Sequence, residues 1–461
     1  MIRIQWLVLV LIAFLLTSCN KKEELKCEIP NVNSVNSETA NKSDNLNVAI
    51  YVDGSGSMLG YVKDGESNYI KALKSLRNVF ELTGKLPVEY YRIGTPMQKI
   101  TGGEYYSYAA SSVFYDGSNA KFKAVSSPID AAILPAVKDQ HKMTVIITDL
   151  QQNSGDVTKL NKRIQDAYFN PQKKDYAVGV WAVKSEFNGK VYLEENNKTF
   201  AYNSGKQPDK LRPFYVLFIG PYQDVKYYFG QLQKYDPHQL LANSKLMIFY
   251  PDHILDKIFS LETPPESLPK GITSPLSLVR DGVIANKGNY ELLQINSGQQ
   301  ENLTINYSIP FSPSEYSLLV DTTSLKPKVK AEKVDKFAKE FKPVDSSSAL
   351  SNAIEFKDWQ ILPKENKLKF SAIVQPDKFA EPGIYKLQFD IISQNLETPS
   401  WWNKWDWQTK SSEEDGTKTH GVEEFFMALK NRTETMKTEQ SNNQEESQFL
   451  VGRFCYGIKK D

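Results

Sequence analysis

Apolar and polar positions along the chain fall into two regimes, with a change after Pro251. Before it, short apolar runs alternate with amphipathic stretches. The run Val48-Ala49-Ile50-Tyr51-Val52 is followed by Ile70, Leu73, Leu76, Val79 and Phe80, spaced as one face of a helix. Val88 to Ile93, Lys142 to Thr148, Tyr176 to Val183, Phe214 to Ile219 and Leu246 to Tyr250 read as further strands. In Val145-Ile146-Ile147 the apolar residues are contiguous, the pattern of a strand covered on both faces. Helix signals fall between the strands, with Pro128 directly after Ser127, Asp156 ahead of a stretch to Tyr168, and a run ending at Tyr235. Regular alternation predicts an α/β fold over 46–250: a doubly wound, mostly parallel sheet with helices on both faces. Asn188-Gly189 between apolar positions predicts an inserted hairpin at 186–204, and the Gly-, Ser- and Tyr-rich stretch 103–126 a long loop.

After Pro251 the prolines of 264–275 suggest a linker over 251–275. Beyond it, Leu303 to Ile309, Leu368-Lys369-Phe370 and Tyr385 to Ile391 alternate with period two. Strands with one wet face predict an antiparallel β-sandwich-like domain over 276–461. A Trp-rich insertion, 400–436, interrupts it with Trp401, Trp402, Trp405 and Trp407, four of the seven tryptophans. Exposed, that cluster would stack on sugar rings; buried, it would plug the sandwich or the join between domains.

The ends and the charge narrow the class. Arg3 and the apolar run Leu7 to Leu16 have the form of a signal peptide over 1–18. Leu16-Thr17-Ser18-Cys19 resembles a bacterial lipobox, which implies lipidation of Cys19 and a lipid-anchored place in the cell envelope, at the outer membrane or cell surface. Residues 19–45 are polar and read as a flexible tether. Cys27 and Cys455 either pair or remain free thiols. With 56 Lys+Arg against 55 Asp+Glu there is no face for a polyanion, so nucleic acid is excluded as a partner. Four scattered histidines offer neither a zinc site nor a His-based catalytic centre.

The chemistry concentrates at Asp53-Gly54-Ser55-Gly56-Ser57. One carboxylate and two hydroxyls alternate with glycines at a strand end, where open α/β sheets hold ligands. Convergent hard oxygens suit Mg²⁺, Mn²⁺ or Ca²⁺. This Asp-x-Ser-x-Ser pattern resembles the metal-ion-dependent adhesion site of von Willebrand factor type A domains. Ser127-Pro128-Ile129-Asp130-Ala131-Ala132-Ile133 resembles that family's second signature, with Ser in place of Thr. Thr144 to Leu150 resembles the third, a strand ending in Thr-Asp-Gly, with Leu150 at the glycine. The resemblance covers roughly 45–250. It implies a divalent cation, Mg²⁺ foremost, held by Asp53, Ser55, Ser57, Ser127 and Asp149, and a protein partner whose acidic side chain completes the coordination. Adhesion or scaffolding would follow. Tyr115-Asp116-Gly117-Ser118-Asn119 either adds a ligand or makes a surface turn. Two other classes stay open: a carbohydrate-binding lipoprotein using the tryptophans, and a metal-dependent hydrolase. A strand-end Asp nucleophile prefers a second acid two residues on, and Ser55 stands there. The expectation is therefore a binding protein rather than an enzyme.

Overall fold

A computed structural model describes residues 21–30, 42–134, 142–151, 157–170, 173, 175–193, 198–236, 240–345, 349–407, 414–439 and 449–461. The signal segment 1–18 and Cys19, with its lipidation, lie outside the described residues.

The polar segment expected to be a free tether enters the fold at once. Strand β1 (Lys21–Leu25) pairs in parallel with residues 283–287, from Lys21 opposite Val283 to Leu25 opposite Lys287. Lys21, Lys22 and Glu24 are exposed, Glu23 is half-buried, and Leu25 and Cys27 are buried. Cys27 forms a disulfide with Cys455, 428 residues away. A strand with one apolar contact looks like a linker in sequence; pairing and the cross-link hold it.

In the first half, β2 (Asn47–Asp53), β3 (Val88–Ile93), β4 (Gln98–Ile100), β5 (Lys142–Thr148) and β6 (Tyr176–Ser185) are followed by a hairpin, β7 (Asn188–Leu193) and β8 (Lys198–Asn203). Then come β9 (Arg212–Pro221) and β10 (Ser244–Phe249). The sheet order is β10-β6-β9-β5-β2-β3-β4, with the hairpin apart. The sheet is not the doubly wound, mostly parallel one that the alternation predicts. Only β2 with β3 and β2 with β5 pair in parallel; β4, β9 and β10 run antiparallel to their neighbours. The cause is the connection after β6, where a hairpin stands in place of a crossover helix. The chain returns beside β6 as β9, and so in the opposite direction. Among the described residues strand exceeds helix, 40% against 26%, so the chain is β-dominated and mixed rather than von Willebrand-like.

Helices α1 (Asn68–Arg77), α2 (Gly102–Ala109), α3 (Val157–Ala167) and α4 (Tyr222–Lys234) lie within this half, and α5 (Trp401–Trp405) and α6 (Val422–Glu439) come from the far end of the chain. The loop expected over 103–126 thus begins as a helix, with Tyr105 and Ala109 turned inward. One core joins Ile50, Val52, Leu73, Leu76, Phe218 and Phe229 beneath α1 and α4. The other joins Ile146, Leu160, Ile164 and Leu217 with Phe425, Phe426 and Leu429 of α6, and continues without a break into the C-terminal half. The Trp-rich stretch is inserted between β21 (Gly383–Ser393) and β24 (Phe449–Lys460), neighbours in the second sheet, and it packs as a cover on the first sheet.

The second half contains β11 (Phe259–Ser260), β12 (Ile272–Thr273), β13 (Ser277–Arg280), β14 (Val283–Lys287), β15 (Glu291–Ile295) and β16 (Leu303–Pro310). These are followed by β17 (Lys326–Asp335), β18 (Glu340–Pro343), β19 (Ile354–Leu362), β20 (Lys367–Val374) and β21 (Gly383–Ser393). The short parallel pair β22 (Asp406–Trp407) and β23 (Thr419–His420) precedes β24 (Phe449–Lys460). A sheet β12-β15-β24-β21-β17-β18 packs on β16-β20-β19 through Tyr307, Phe356, Phe370 and Phe454. It too is mixed rather than antiparallel, because β11 and β15 both pair in parallel with β24. Nor is 251–275 a free linker, since Ile254, Leu255, Ile258 and Phe259 are buried and β11 joins this sheet.

Candidate functional site

Parallel pairing of β2 with β5 sets Val52 opposite Ile147, so the residues that follow, Asp53 and Thr148, leave neighbouring strands side by side. Apolar runs drive both strands into the sheet centre, and the first polar residues after them are carried to its carboxyl edge. Asp53 Oδ1 accepts from the Ser55 backbone N–H at 3.0 Å, and its Oδ2 from the Thr148 hydroxyl at 2.9 Å. Asp149 Oδ1 accepts from the Ser57 hydroxyl at 3.2 Å and from the Gln151 N–H at 3.1 Å. Ser55 and Ser57 Oγ lie 2.9 Å apart. Ser127 Oγ faces the Asp53 carboxyl but has no hydrogen-bond partner. All five residues expected from the sequence are thus brought to one place, and all are buried: Asp53 and Asp149 are 0% exposed and Ser57, the most open, 6%.

Two backbone features build this corner. Gly54 lets Arg92 pass, since a Cβ there would stand 2.5 Å from Arg92 Nε. Buried Arg92 donates to the carbonyls of Gly54, Phe114 and Lys123, tying the loop after α2 to the Asp53 turn. Leu150 adopts φ +60°, a left-handed conformation that glycine takes freely and other residues rarely. The departure from Thr-Asp-Gly at this position therefore keeps the glycine-like backbone, and the Leu150 side chain is buried in the core. The helix expected to start at Ser127 is only a 3-10 turn, Ile129–Ala132.

Sequence reasoning missed Thr148, Gln151 and Arg212. The antiparallel register of β9 against β5 pairs Thr148 with Tyr215, which sends Arg212, at the start of β9, to the same edge as Asp149. The Arg212 guanidinium is 0% exposed, and its Nη2 stands 3.9 Å from Asp149 Oδ2. Nη1 donates to the carbonyls of Gly416 and Lys418, at 3.1 and 2.9 Å. Nε and Nη2 lack hydrogen-bond partners, as do Asp149 Oδ2 and Gln151 Oε1. A lone arginine ahead of a fully apolar run was the available signal.

Hairpin β7–β8 closes the site. The Gln151 side-chain amide donates to the Tyr192 carbonyl at 2.9 Å. A Cβ on Gly60 would meet the Phe187 ring at 2.4 Å, so the 3-10 turn Gly56–Val62 and the hairpin root lie in close contact.

Burial dominates the electrostatics. It pushes the Asp53 carboxyl up, against hydrogen bonds that favour the charged form. Burial likewise pushes Asp149 up to about 7, with the Arg212 charge opposing and the Asp53 charge adding to the rise. Oxygen donors with two atoms that make no hydrogen bond, Ser127 Oγ and Asp149 Oδ2, fit a hard divalent cation, with Arg212 3.9 Å from the latter as a competing charge. Among the described residues no group of three or more His, Cys, Asp or Glu comes together, and this site has two carboxylates and hydroxyls instead.

The remaining candidates fall elsewhere. Asp116 is exposed and accepts from Ser118 N and Oγ, which makes 116–119 a surface turn rather than a source of ligands, while Tyr115 is buried with its hydroxyl on Tyr69 and the Ala109 carbonyl. Trp402, Trp405 and Trp407 are 8% exposed or less; Trp402 packs on Phe249 and Phe426, and Trp407 on Phe200 of the hairpin, so they offer no open stacking platform. No described helix is long and apolar enough to cross a membrane. Compared with known proteins, the chain matches no family model and no curated protein.

Proposed function

We propose that the chain is an exported, lipid-anchored cell-envelope protein that takes up a divalent cation, Mg²⁺ foremost, and serves adhesion or scaffolding by binding a protein partner. Asp53, Ser55, Ser57, Ser127 and Asp149 would hold the cation. One observation carries the reading: two fully buried carboxylates meet three serines, and Ser127 Oγ and Asp149 Oδ2 are left without a hydrogen-bond partner, Asp149 Oδ2 facing only the Arg212 guanidinium at 3.9 Å. Buried polar atoms are normally satisfied, so unpartnered ones beside paired carboxylates mark a place for a ligand. The resemblance to the adhesion-site motifs is confined to these residues and does not extend to the sheet. The Cys27–Cys455 disulfide accords with an oxidising compartment outside the cytosol.

Because the hairpin covers the donors, a partner's acidic side chain meets the cation only after the hairpin is displaced. With the hairpin in place, the cation would act by fixing the turn, the loop and the hairpin root around it.

Calorimetric titration of Mg²⁺, Mn²⁺ and Ca²⁺ into wild type, Asp53→Asn and Ser127→Ala tests the site. Binding by wild type that is abolished in Asp53→Asn and weakened in Ser127→Ala supports it. Absence of binding by wild type, or equal binding by Asp53→Asn, refutes it.

A further inference from the structure

The most exposed large apolar side chain among the described residues is Phe337, 97% exposed at the tip of the β17–β18 hairpin. Its turn is firmly built: the N–H groups of Phe337 and Ala338 donate to Asp335 Oδ1 at 2.9 and 2.8 Å, and the Lys339 N–H donates to the Asp335 carbonyl at 2.8 Å. A rigid turn that holds a phenylalanine in water forfeits the gain of burying it, unless something outside the chain covers the ring.

The chain's entry point lies beside this turn. The Lys21 N–H donates to the Gly282 carbonyl at 3.1 Å, and a Cβ on Gly282 would touch Lys339 Cε and Nζ at 3.2 Å. Val279, two residues before the β13–β14 turn, is 52% exposed. Val334 and Phe341, which flank the tip, share a core with Leu25, Leu278 and Val283 of the β1–β14–β13 sheet. Lys21, Lys22 and Lys336 are exposed here; Arg280 is held by Asp281 and Asp461, and Lys342 by Asp335. Glu23, Glu24 and Glu340 balance much of this charge, so the patch is amphipathic rather than strongly basic.

Cys19 is two residues from Lys21. An extended chain spans at most ~3.6 Å per residue, so a lipid on Cys19 starts within roughly 7 Å of the Lys21 backbone. We propose that this end of the molecule, with Phe337 and Val279 at its centre, is a membrane-docking face that rests on the phospholipid bilayer into which the Cys19 lipid inserts. The inference relies on the anchoring reading above. It adds an orientation: the anchor is a short strap held by β1 and the disulfide, and the apolar tip meets the acyl boundary while lysines face headgroups.

The test uses the full lipidated chain in phosphatidylethanolamine/phosphatidylglycerol vesicles, with an environment-sensitive fluorophore on Phe337→Cys, Val279→Cys or, as control, Leu82→Cys. Leu82 is 60% exposed in the first half of the chain. Flotation reads anchoring; quenching by lipids carrying a shallow nitroxide reads docking. Flotation with quenching at 337 and 279 but not at 82 supports the proposal. With Phe337→Ser added, the docked-to-free ratio reported from position 279 falls about tenfold. Flotation without quenching at 337 overturns docking and leaves the anchor standing, whereas failure to float overturns both. A blue shift at 337 that grows with protein concentration in detergent assigns the patch to a second copy, and also overturns it.

Discussion

Arg212→Met removes the cation beside Asp149 while keeping an unbranched side chain of similar length. Arg212 is 0% exposed, donates twice to the 416–418 backbone and lies 3.9 Å from Asp149 Oδ2. Removing one partner of a buried ion pair costs about 3–5 kcal/mol when the other charge has no escape. Asp149 has one, since burial already pushes its carboxyl up to about 7 against the opposing pull of Arg212. Without the guanidinium that pKa climbs further. Below pH 7 both proteins hold the proton, and the loss reduces to the two hydrogen bonds to carbonyls, about 1.5–3 kcal/mol. Above pH 7 the wild type releases the proton and the variant retains it, so the gap widens by roughly 1.4 kcal/mol per pH unit until the variant's own pKa is reached. Urea unfolding of both proteins from pH 6 to 8.5 in chelator measures this, and the widening disappears in an Asp149→Asn background. A gap that stays flat over that range, or widens equally with Asp149→Asn, refutes the coupling.

The other predictions probe the site and its supports. Cation affinity measured by calorimetry should rise about tenfold from pH 6 to pH 8, as Asp149 must lose a proton near 7 to bind. The stability of the cation-free protein should run the other way, falling as pH rises from about 4 to about 7, because the folded state holds a proton on Asp149 that the unfolded state has released. Gly54→Ala should destabilise by about 1–3 kcal/mol through displacement of Arg92, and weaken cation binding as the Asp53 turn shifts; unchanged thermal unfolding would count against that packing. Replacing both Cys27 and Cys455 by Ser should cost about 2–4 kcal/mol and expose Lys22 and Lys26 to trypsin, whereas equal cleavage with and without the disulfide would mean that β1 holds by pairing alone.

Much of the site was legible because its strands are apolar and contiguous. Val48 to Val52 and Val145 to Ile147 announce central strands, and the first acids after them could only fall at a sheet edge. What such runs lack is direction. Phe214 to Ile219 is equally apolar read either way, so nothing in it tells a parallel strand from an antiparallel one. The Lys-Lys-Glu-Glu start of β1 was hidden for a different reason: an edge strand on a small sheet needs few buried residues, and here only Leu25 supplies a core side chain. The tryptophans gave composition without partner. Their burial depends on Phe249 and Phe426, over a hundred and fifty residues away from Phe249 at its nearest and on a helix at Phe426.

The reversal of β9 also sets the chemistry. Had β9 run parallel to β5, its carboxyl end, Gly220-Pro221, would have stood beside Asp149. Running antiparallel, it delivers its first residue, and that residue is a buried arginine. The site therefore carries two carboxylates and one fixed cation, where the adhesion-site pattern supplies carboxylates and hydroxyls alone. A resident positive charge weakens the pull on a second cation and lets the cluster persist without one. The hairpin that replaces the crossover after β6 starts at the same edge, since β6 runs parallel to β5 and ends at Ser185 opposite Arg212. One change of connection thus accounts for the reversal of β9, the internal counter-charge and the cover over the donors. It follows that hairpin and cation are coupled. If the cation fixes the turn at Gly56–Val62, on which the hairpin root packs, its uptake should slow hydrogen exchange at Phe187 to Tyr192 as well as at Ser55 to Met58, although none of the hairpin residues is a ligand.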